Sequence, residues 1–286
     1  MPAQSDKASS SEAVILTSVD QRGVGTLTIN RPAVNNAYNR EVIVSAIDAV
    51  TKFANDPNVR VIVVRGNGKH FQAGADLKWV RANIELSPEE NFQISVDTTN
   101  AIRGLNEVPK PTIALVHGGC FGGGTGIAAA CDIVIASDDA YFAITEAKWG
   151  LMAAPIYPVL LGRMGARHVR RYSITCERFG AHKAKELGLV DEVCEVGGLD
   201  AAAEPIIDAI LQVAPDGIAT SKRSILECAN MVVDDTLARW LARDHAGKRL
   251  TDEAIEGLMS FIEKRPASWY APYAPDAAGG GKKQKE

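Results

Sequence analysis

No stretch of this 286-residue sequence approaches the run of roughly 18 apolar residues that a membrane-spanning helix needs. Its opening segment, MPAQSDKASSSEA, lacks the charged-then-apolar pattern of a secretory signal. The five cysteines (Cys120, Cys131, Cys176, Cys194, Cys228) are scattered, with no C-x-x-C pair and no short secreted frame, so they read as reduced thiols of a cytoplasmic protein. Positive charge is also in short supply. Lys plus Arg number 31 against 35 Asp plus Glu, which leaves no electrostatic footprint for nucleic acid. There is no H-E-x-x-H or similar metal set, no G-x-S-x-G nucleophile elbow and no G-x-x-x-x-G-K-[ST] phosphate loop. The five histidines are dispersed. The expectation is therefore an enzyme without a metal or redox cofactor, and without a membrane or nucleic-acid partner. With 46% hydrophobic and 23% charged residues the chain is neither disordered nor fibrous, and it is long enough to bury a large core.

What is present reads as a mixed α/β body followed by helices. AVILTSV (13–19) and VGTLTIN (24–30) flank DQRG as a hairpin. Asn39 is a helix N-cap, followed by apolar residues at helical spacing as far as Asp56-Pro57. VRVIVVR (59–65) reads as a buried strand. SPEE (87–90) is a capping box with proline at the first helical position, and predicts a helix to about Leu105. A strand TIALVHG (112–118), a glycine cluster, a short helix, a strand DIVIAS (132–137) and an extended piece at AYFAI (140–144) follow. From about Pro155 the pattern is helical except for one strand, LVDEVCEV (189–196). Residues 1–12 read as a flexible leader, 13–197 as the core, 198–272 as a helical C-terminal region and 273–286 as a flexible charged tail. No internal repeat is visible.

HGGCFGGGTGIAAACD (117–132) carries six glycines between an apolar strand and an alanine-rich helix. Gly124 to Ala129 fit the dinucleotide pattern G-x-G-x-x-A. Only seven residues separate Gly124 from the next strand, however, whereas a parallel crossover needs roughly a dozen or more. Close packing of helix on sheet accounts for Gly118, Gly119 and Gly126. Three glycines at a helix start offer more, because the first N–H groups are unpaired and lie at the positive end of the dipole, where an oxygen carrying negative charge is held. A second donor is then needed, and KHFQAGADLKW (69–79) repeats the design: a strand end, a turn at Gly74 and a helix start with an acid in its first turn.

These two segments, FQAGADLKW and GGCFGGGTGIAAACDIVIASDDAYFAITEAKWG, resemble those of the crotonase (enoyl-CoA hydratase/isomerase) superfamily. The resemblance runs from about Val14 to Tyr270, with INRPAVNNA (29–37) at its entry and EGLMSFIEKRPASW (256–269) at its end. It implies a spiral of ββα units with a helical C-terminal trimerisation region, and assembly as a homotrimer or a dimer of trimers. It also implies an acyl-CoA thioester substrate whose carbonyl oxygen lies between the backbone N–H groups of Ala75 and Gly123. Ala73, Ala75 and Leu77 would lie against the adenine, with Gly122 in the same site, and Phe261 and Lys264 would reach the coenzyme A of a neighbouring subunit. Apolar pattern alone also fits Phe261 as helix core, and Lys264 as a solvated charge. Asp76 is counted with these coenzyme A-binding residues, and its expected role there is a first-turn acid favoured by the helix dipole.

Of the two glutamates used by the best-known hydratases, the resemblance places the later one at Glu146, as general base and acid, while Gly126 stands at the earlier position. Ordered water, another side chain or a one-carboxylate reaction would have to make up the difference. Tyr157 is expected to pack rather than react, and His117 to be structural. Gly126 with Glu146 and the stretch 161–193 look most like the methylglutaconyl-CoA and isohexenylglutaconyl-CoA hydratase branch, of leucine and acyclic terpene catabolism. A distal carboxylate would then need a cation, with Lys78, Lys148 and Arg163 nearest in sequence. The implied activity is hydration of a branched or glutaconyl-type enoyl-CoA. A double-bond isomerase or thioester hydrolase on the same fold is the alternative, and a noncatalytic acyl-CoA-binding subunit is the reading from another class.

Overall fold

The first structure-forming residues close the expected hairpin. Strand β1 (Ile15–Val19) pairs antiparallel with β2 (Val24–Ile29), in register from Ile15 opposite Ile29 to Val19 opposite Gly25. Asp20 fixes the reversal by accepting from the N–H groups of Arg22 and Val24. The computed structural model describes residues 13–229, 247 and 251–270. The leader 1–12 and tail 273–286 expected from composition lie outside the described residues.

Helix α1 (Arg40–Asn55) starts where Asn39 accepts from the N–H of Val42 at 3.1 Å, and buries Val42, Ile43, Ala49 and Phe53. It leads into β3 (Val61–Gly66), parallel to β2. The short α2 (Leu77–Ala82) precedes α3 (Pro88–Glu107), whose capping box is formed in both directions between Ser87 and Glu90. β4 (Thr112–Val116), β6 (Ile133–Ser137) and β9 (Glu192–Cys194) complete a six-stranded sheet in the order β1-β2-β3-β4-β6-β9, parallel from β2 onward. A second sheet joins β5 (Gly119–Phe121), β7 (Tyr141–Ala143) and β8 (Phe179–Gly180). The chain thus winds as the expected spiral of strand, strand and helix.

The structure departs from the sequence reading at three strands. The run 112–118 is not one strand, because Gly118 (φ 54) turns the chain out of the first sheet and into the second as β5. A Cβ at Gly118 would collide with the carbonyl oxygen of Lys69, so the bend requires glycine. The two-residue β8 is too short to leave a pattern. The strand expected over 189–196 shrinks to Glu192–Cys194, because Leu189 and Val190 donate instead to the carbonyl of Ala184 at the end of α6 (Ala181–Glu186).

One face of the large sheet buries Leu27, Ile29, Ile62, Val64 and Ala114 against α1, α3, α4 (Gly123–Ala130) and α5 (Tyr157–Thr175), the last broken at Gly165 (φ 69, ψ 158). The other face presents Val61, Val63, Ile113, Leu115 and Ile135 to Leu199, Ala203, Ile207 and Leu211 of α7 (Leu199–Gln212). This helix follows the compositional break at Gly197-Gly198, yet it forms one of the layers of the core. α8 (Pro215–Cys228) is tied to the sheet by Lys222, whose Nζ lies 2.7 Å from Asp132 Oδ2. α9 (Asp252–Glu263) supplies Glu253, which accepts from the first N–H groups of α8. Among the described residues no helix is long and apolar enough to cross a membrane.

Candidate active site

Two loops meet at the open end of β3, β4 and β5. Gln72, fully buried, knits them: its N–H donates to Gly119 and its carbonyl accepts from Phe121, while its side chain accepts from the N–H of Gly74 and donates to the carbonyl of Gly74. Gly74 (φ 87) turns the chain toward Ala75. Tyr38 lies in an isolated bridge with Ala75: its N–H donates to Gly74 at 2.9 Å and its carbonyl accepts from Asp76 at 2.8 Å. Both bonds go to the neighbours of Ala75, and the Ala75 N–H is left without a partner among the described residues.

The second loop ends at Gly122 (φ 50), whose N–H donates to Ala143. The α4 ladder begins with the N–H of Gly126 donating to Gly122, so the N–H of Gly123 is one of the unpaired groups at a helix start. Thr125 pins the turn from below, bonding the carbonyls of Cys120 and Ala143. Ala75 and Gly123 therefore each carry an N–H without a partner among the described residues, and both residues line the cavity.

Each glycine of the run leaves room for a specific group. A Cβ on Gly122 would lie 2.7 Å from Glu146 Oε1, one on Gly123 2.5 Å from Tyr38 Cε1, and one on Gly124 2.5 Å from Gln72 Oε1. On Gly126 it would lie 2.6 Å from the Cβ of Ile156, and closer still to Cγ2. The space these glycines leave is thus filled by the protein's own side chains, with Ile156 over Gly126.

Glu146 opens a short 3-10 turn (Glu146–Trp149), with its Oε2 buried and without a hydrogen-bond partner among the described residues. Burial raises its pKa above the ordinary carboxylate value, against weaker opposing bonds from the backbone of residues 145 and 146. A carboxylate desolvated in this way at a cavity wall accepts a proton more readily than one in water, which is what a general base requires. The cavity measures 1010 Å³. Ala73, Ala75, Leu77, Gly122, Gly123 and Glu146 line it; beyond them its walls are mostly apolar, including Trp79, Ile94, Ile102, Ile127 and Ile156.

Other expected residues lie elsewhere. Asp76 caps α2 and bonds Arg31 at 3.1 Å; burial opposes its charge, but Arg31 and the N–H groups of Lys78 and Trp79 outweigh this and hold its pKa below the usual value. It does not line the cavity. Tyr157 packs half-buried against the core, and His117 bonds the carbonyl of Gly68 at 2.8 Å. Lys264 is exposed beyond α9, away from the cavity of its own chain, and the side chain of Phe261 lies outside the described residues. Of the cations considered, Lys148 lines the cavity, while Arg163 is bound to Asp191 and to the carbonyls of Cys131 and Asp132, and Lys78 is outside. Arg178 was not expected there; it lines the cavity and lies 5.1 Å above the ring of Phe121. Among the described residues no three His, Cys, Asp or Glu side chains gather as a metal set.

Tyr38, Gln72, Ile156 and Arg178 are the site residues that sequence reasoning missed. Tyr38 directly follows the quoted stretch INRPAVNNA, but nothing in that stretch tells that its backbone would pair with the Ala75 loop. Gln72 acts through hydrogen bonds to residues of two loops and Ile156 through packing, and neither leaves a motif.

Comparisons with known proteins bear on the family and the fold. A putative enoyl-CoA hydratase of Thermus thermophilus is 32% identical over 88% of this chain and 99% of its own. A mevalonyl-coenzyme A hydratase of Aspergillus fumigatus is 32% identical over 85% of this chain and 90% of its own. The crystal structure of an enoyl-CoA hydratase from Shewanella pealeana superposes with a TM-score of 0.86 at 35% identity, over 90% of this chain and 96% of that one. The family model described as enoyl-CoA hydratase/isomerase matches residues 19–272. With the spiral fold, the paired backbone donors and the glutamate beside them, the chain is a crotonase-fold enzyme and belongs to the enoyl-CoA hydratase/isomerase family.

Proposed function

We propose that this enzyme adds water across the α,β double bond of a branched enoyl-CoA thioester, with Glu146 as its one carboxylate. The observation that carries the reading is the placing of Glu146 Oε1 against Gly122, one residue from the free N–H of Gly123. The thioester oxygen is held by the N–H groups of Ala75 and Gly123, which favour the enolate over the ground-state carbonyl; one such donor is worth about 10²- to 10³-fold in rate. Glu146 takes a proton from water, and the hydroxide adds to C3 while the electrons of the double bond move onto the thioester oxygen. Protonation at C2 and return of Glu146 to its charged form complete the addition. No metal or redox group enters this scheme, and coenzyme A belongs to the substrate.

The acyl group is taken to be branched because the wall beside Glu146 is broad and apolar and Ala153 and Ala154 keep it open. A glutaconyl-type substrate is supported by the two cations on the lining, Lys148 and Arg178, either of which would pair with a distal carboxylate. Ala73 and Leu77 are assigned to the adenine side. Lys264, away from its own chain's cavity, is assigned with Phe261 to the coenzyme A of a neighbouring subunit in a trimer or dimer of trimers. Isomerisation is the second reading, favoured by Ile156 filling the ground of a second carboxylate, since moving a proton between C2 and C4 needs only one base.

Mass analysis of the products from crotonyl-CoA and from 3-methylglutaconyl-CoA tests the assignment. Hydration adds the mass of one water. An unchanged mass with a shifted double bond makes the enzyme an isomerase, and release of free coenzyme A makes it a hydrolase.

A further inference from the structure

Two adjacent glycines at the start of α4 are each cleared for a proton-bearing side chain. Glu146 lies over Gly122, and the ring of Tyr38 lies over Gly123, with its Cζ 3.3 Å from where a Cβ would be. Tyr38 is anchored at both ends: its backbone holds the Ala75 loop through two hydrogen bonds, and its ring meets Trp79 edge-on at 5.9 Å. It lines the cavity, and its hydroxyl has no hydrogen-bond partner among the described residues. A tyrosine that packs on Gly123, pairs through its backbone with Ala75 and lines the cavity with Glu146 is more than is needed to fill space, which a phenylalanine would do.

We infer that Tyr38 is a further catalytic residue, whose hydroxyl delivers the proton to C2 of the enolate and so stands in for the second carboxylate that Ile156 displaces. The inference rests on the hydratase reading above. Glu146 removes one proton from water and the hydroxide oxygen bonds to C3. The electrons of the C2–C3 bond pass to the enolate, and the phenolic proton then goes to C2. The proton held by Glu146 returns to the phenolate. One water is added, and both side chains end as they began. Burial, and secondarily the nearby Glu146 charge, push the Tyr38 pKa up to about 12, so the proton is in place at neutral pH.

Tyr38→Phe keeps the ring packed on Gly123 and Trp79 and removes only the hydroxyl. With crotonyl-CoA and 3-methylglutaconyl-CoA as probes, and Glu146→Gln run alongside, kcat of Tyr38→Phe is expected to fall by about 100-fold while KM stays within about twofold. An unchanged kcat in Tyr38→Phe with a large loss in Glu146→Gln overturns the role of Tyr38 and leaves the hydratase reading standing. Failure of the wild-type enzyme to form a hydrated product, or full activity in Glu146→Gln, overturns that reading, and this inference with it. Should Tyr38→Phe not fold, incorporation of a fluorinated tyrosine at position 38 preserves both ring and hydroxyl. A kcat that changes with phenol acidity is then expected, and a kcat indifferent to it removes the proton-transfer role.

Discussion

Glu146 carries the most testable chemistry at the scale of single residues. Its pKa is raised by burial, so as a base it must lose its proton before the enzyme turns over. The rise of kcat/KM with pH is therefore expected above the ordinary carboxylate value of about 4.3. A pH–rate profile checks this, and a rise centred at or below that value would show that another group titrates. The same shift sets a stability effect of definite sign. A carboxyl whose folded pKa exceeds its unfolded one contributes full stability below the unfolded value and loses it as pH rises through the folded one. Glu146→Gln should thus raise the thermal midpoint at neutral pH, and this gain should vanish as pH falls below the ordinary carboxylate range. A gain that persists in acid would trace the effect to packing instead. Glu146 was legible in the sequence because the resemblance fixes it within TEAKWG, and Tyr38 was not, since its importance comes from a single bridge to a loop some 37 positions away.

Packing decides the outcome at the scale of elements. The α4 helix lies so close to Ile156 that any side chain at Gly126 overpacks the interface, and Gly126→Ala is expected to cost about 1–3 kcal/mol. Combining it with Ile156→Ala should recover much of that loss, because the two changes share one space. Urea denaturation of the four proteins measures the coupling, and additive losses would show that Ile156 does not occupy that ground. The sequence did mark α1 and α3, whose capping residues Asn39 and Ser87 act within three positions along the chain. It did not mark β5 or β8, strands of three and two residues whose pairing partners are distant and which are too short for a period to show. The glycine cluster was conspicuous, but which side chain each glycine admits depends on the tertiary structure alone.

For the molecule as a whole, the question is what holds the helical end to the sheet. Lys222 of α8 reaches Asp132 and the carbonyl of Lys110, and its side chain is only 9% exposed. Asp132 also accepts from the N–H and hydroxyl of Thr112. Lys222→Met leaves Asp132 without its cation, and a loss of about 1–3 kcal/mol is expected in urea denaturation. No change would place the tie elsewhere, for example at Arg60, which donates to the carbonyls of Leu211, Val213 and Trp269. The compositional break at Gly197-Gly198 was visible in the sequence, but the place of α7 on the far face of the sheet was not. Its apolar stripe of Leu199, Ala203, Ile207 and Leu211 is regular enough to announce burial, without saying against what.

The central claim is that one carboxylate beside two backbone donors hydrates an enoyl thioester. Its most direct test follows the absorbance of the conjugated thioester when wild-type enzyme and Glu146→Gln each meet crotonyl-CoA and 3-methylglutaconyl-CoA. The account predicts loss of the conjugated signal with a 3-hydroxyacyl product in the wild type, and a rate lower by about 10²- to 10⁴-fold in Glu146→Gln with thioester binding retained. Equal rates in the two proteins, or thioester binding without hydration in the wild type, would contradict it.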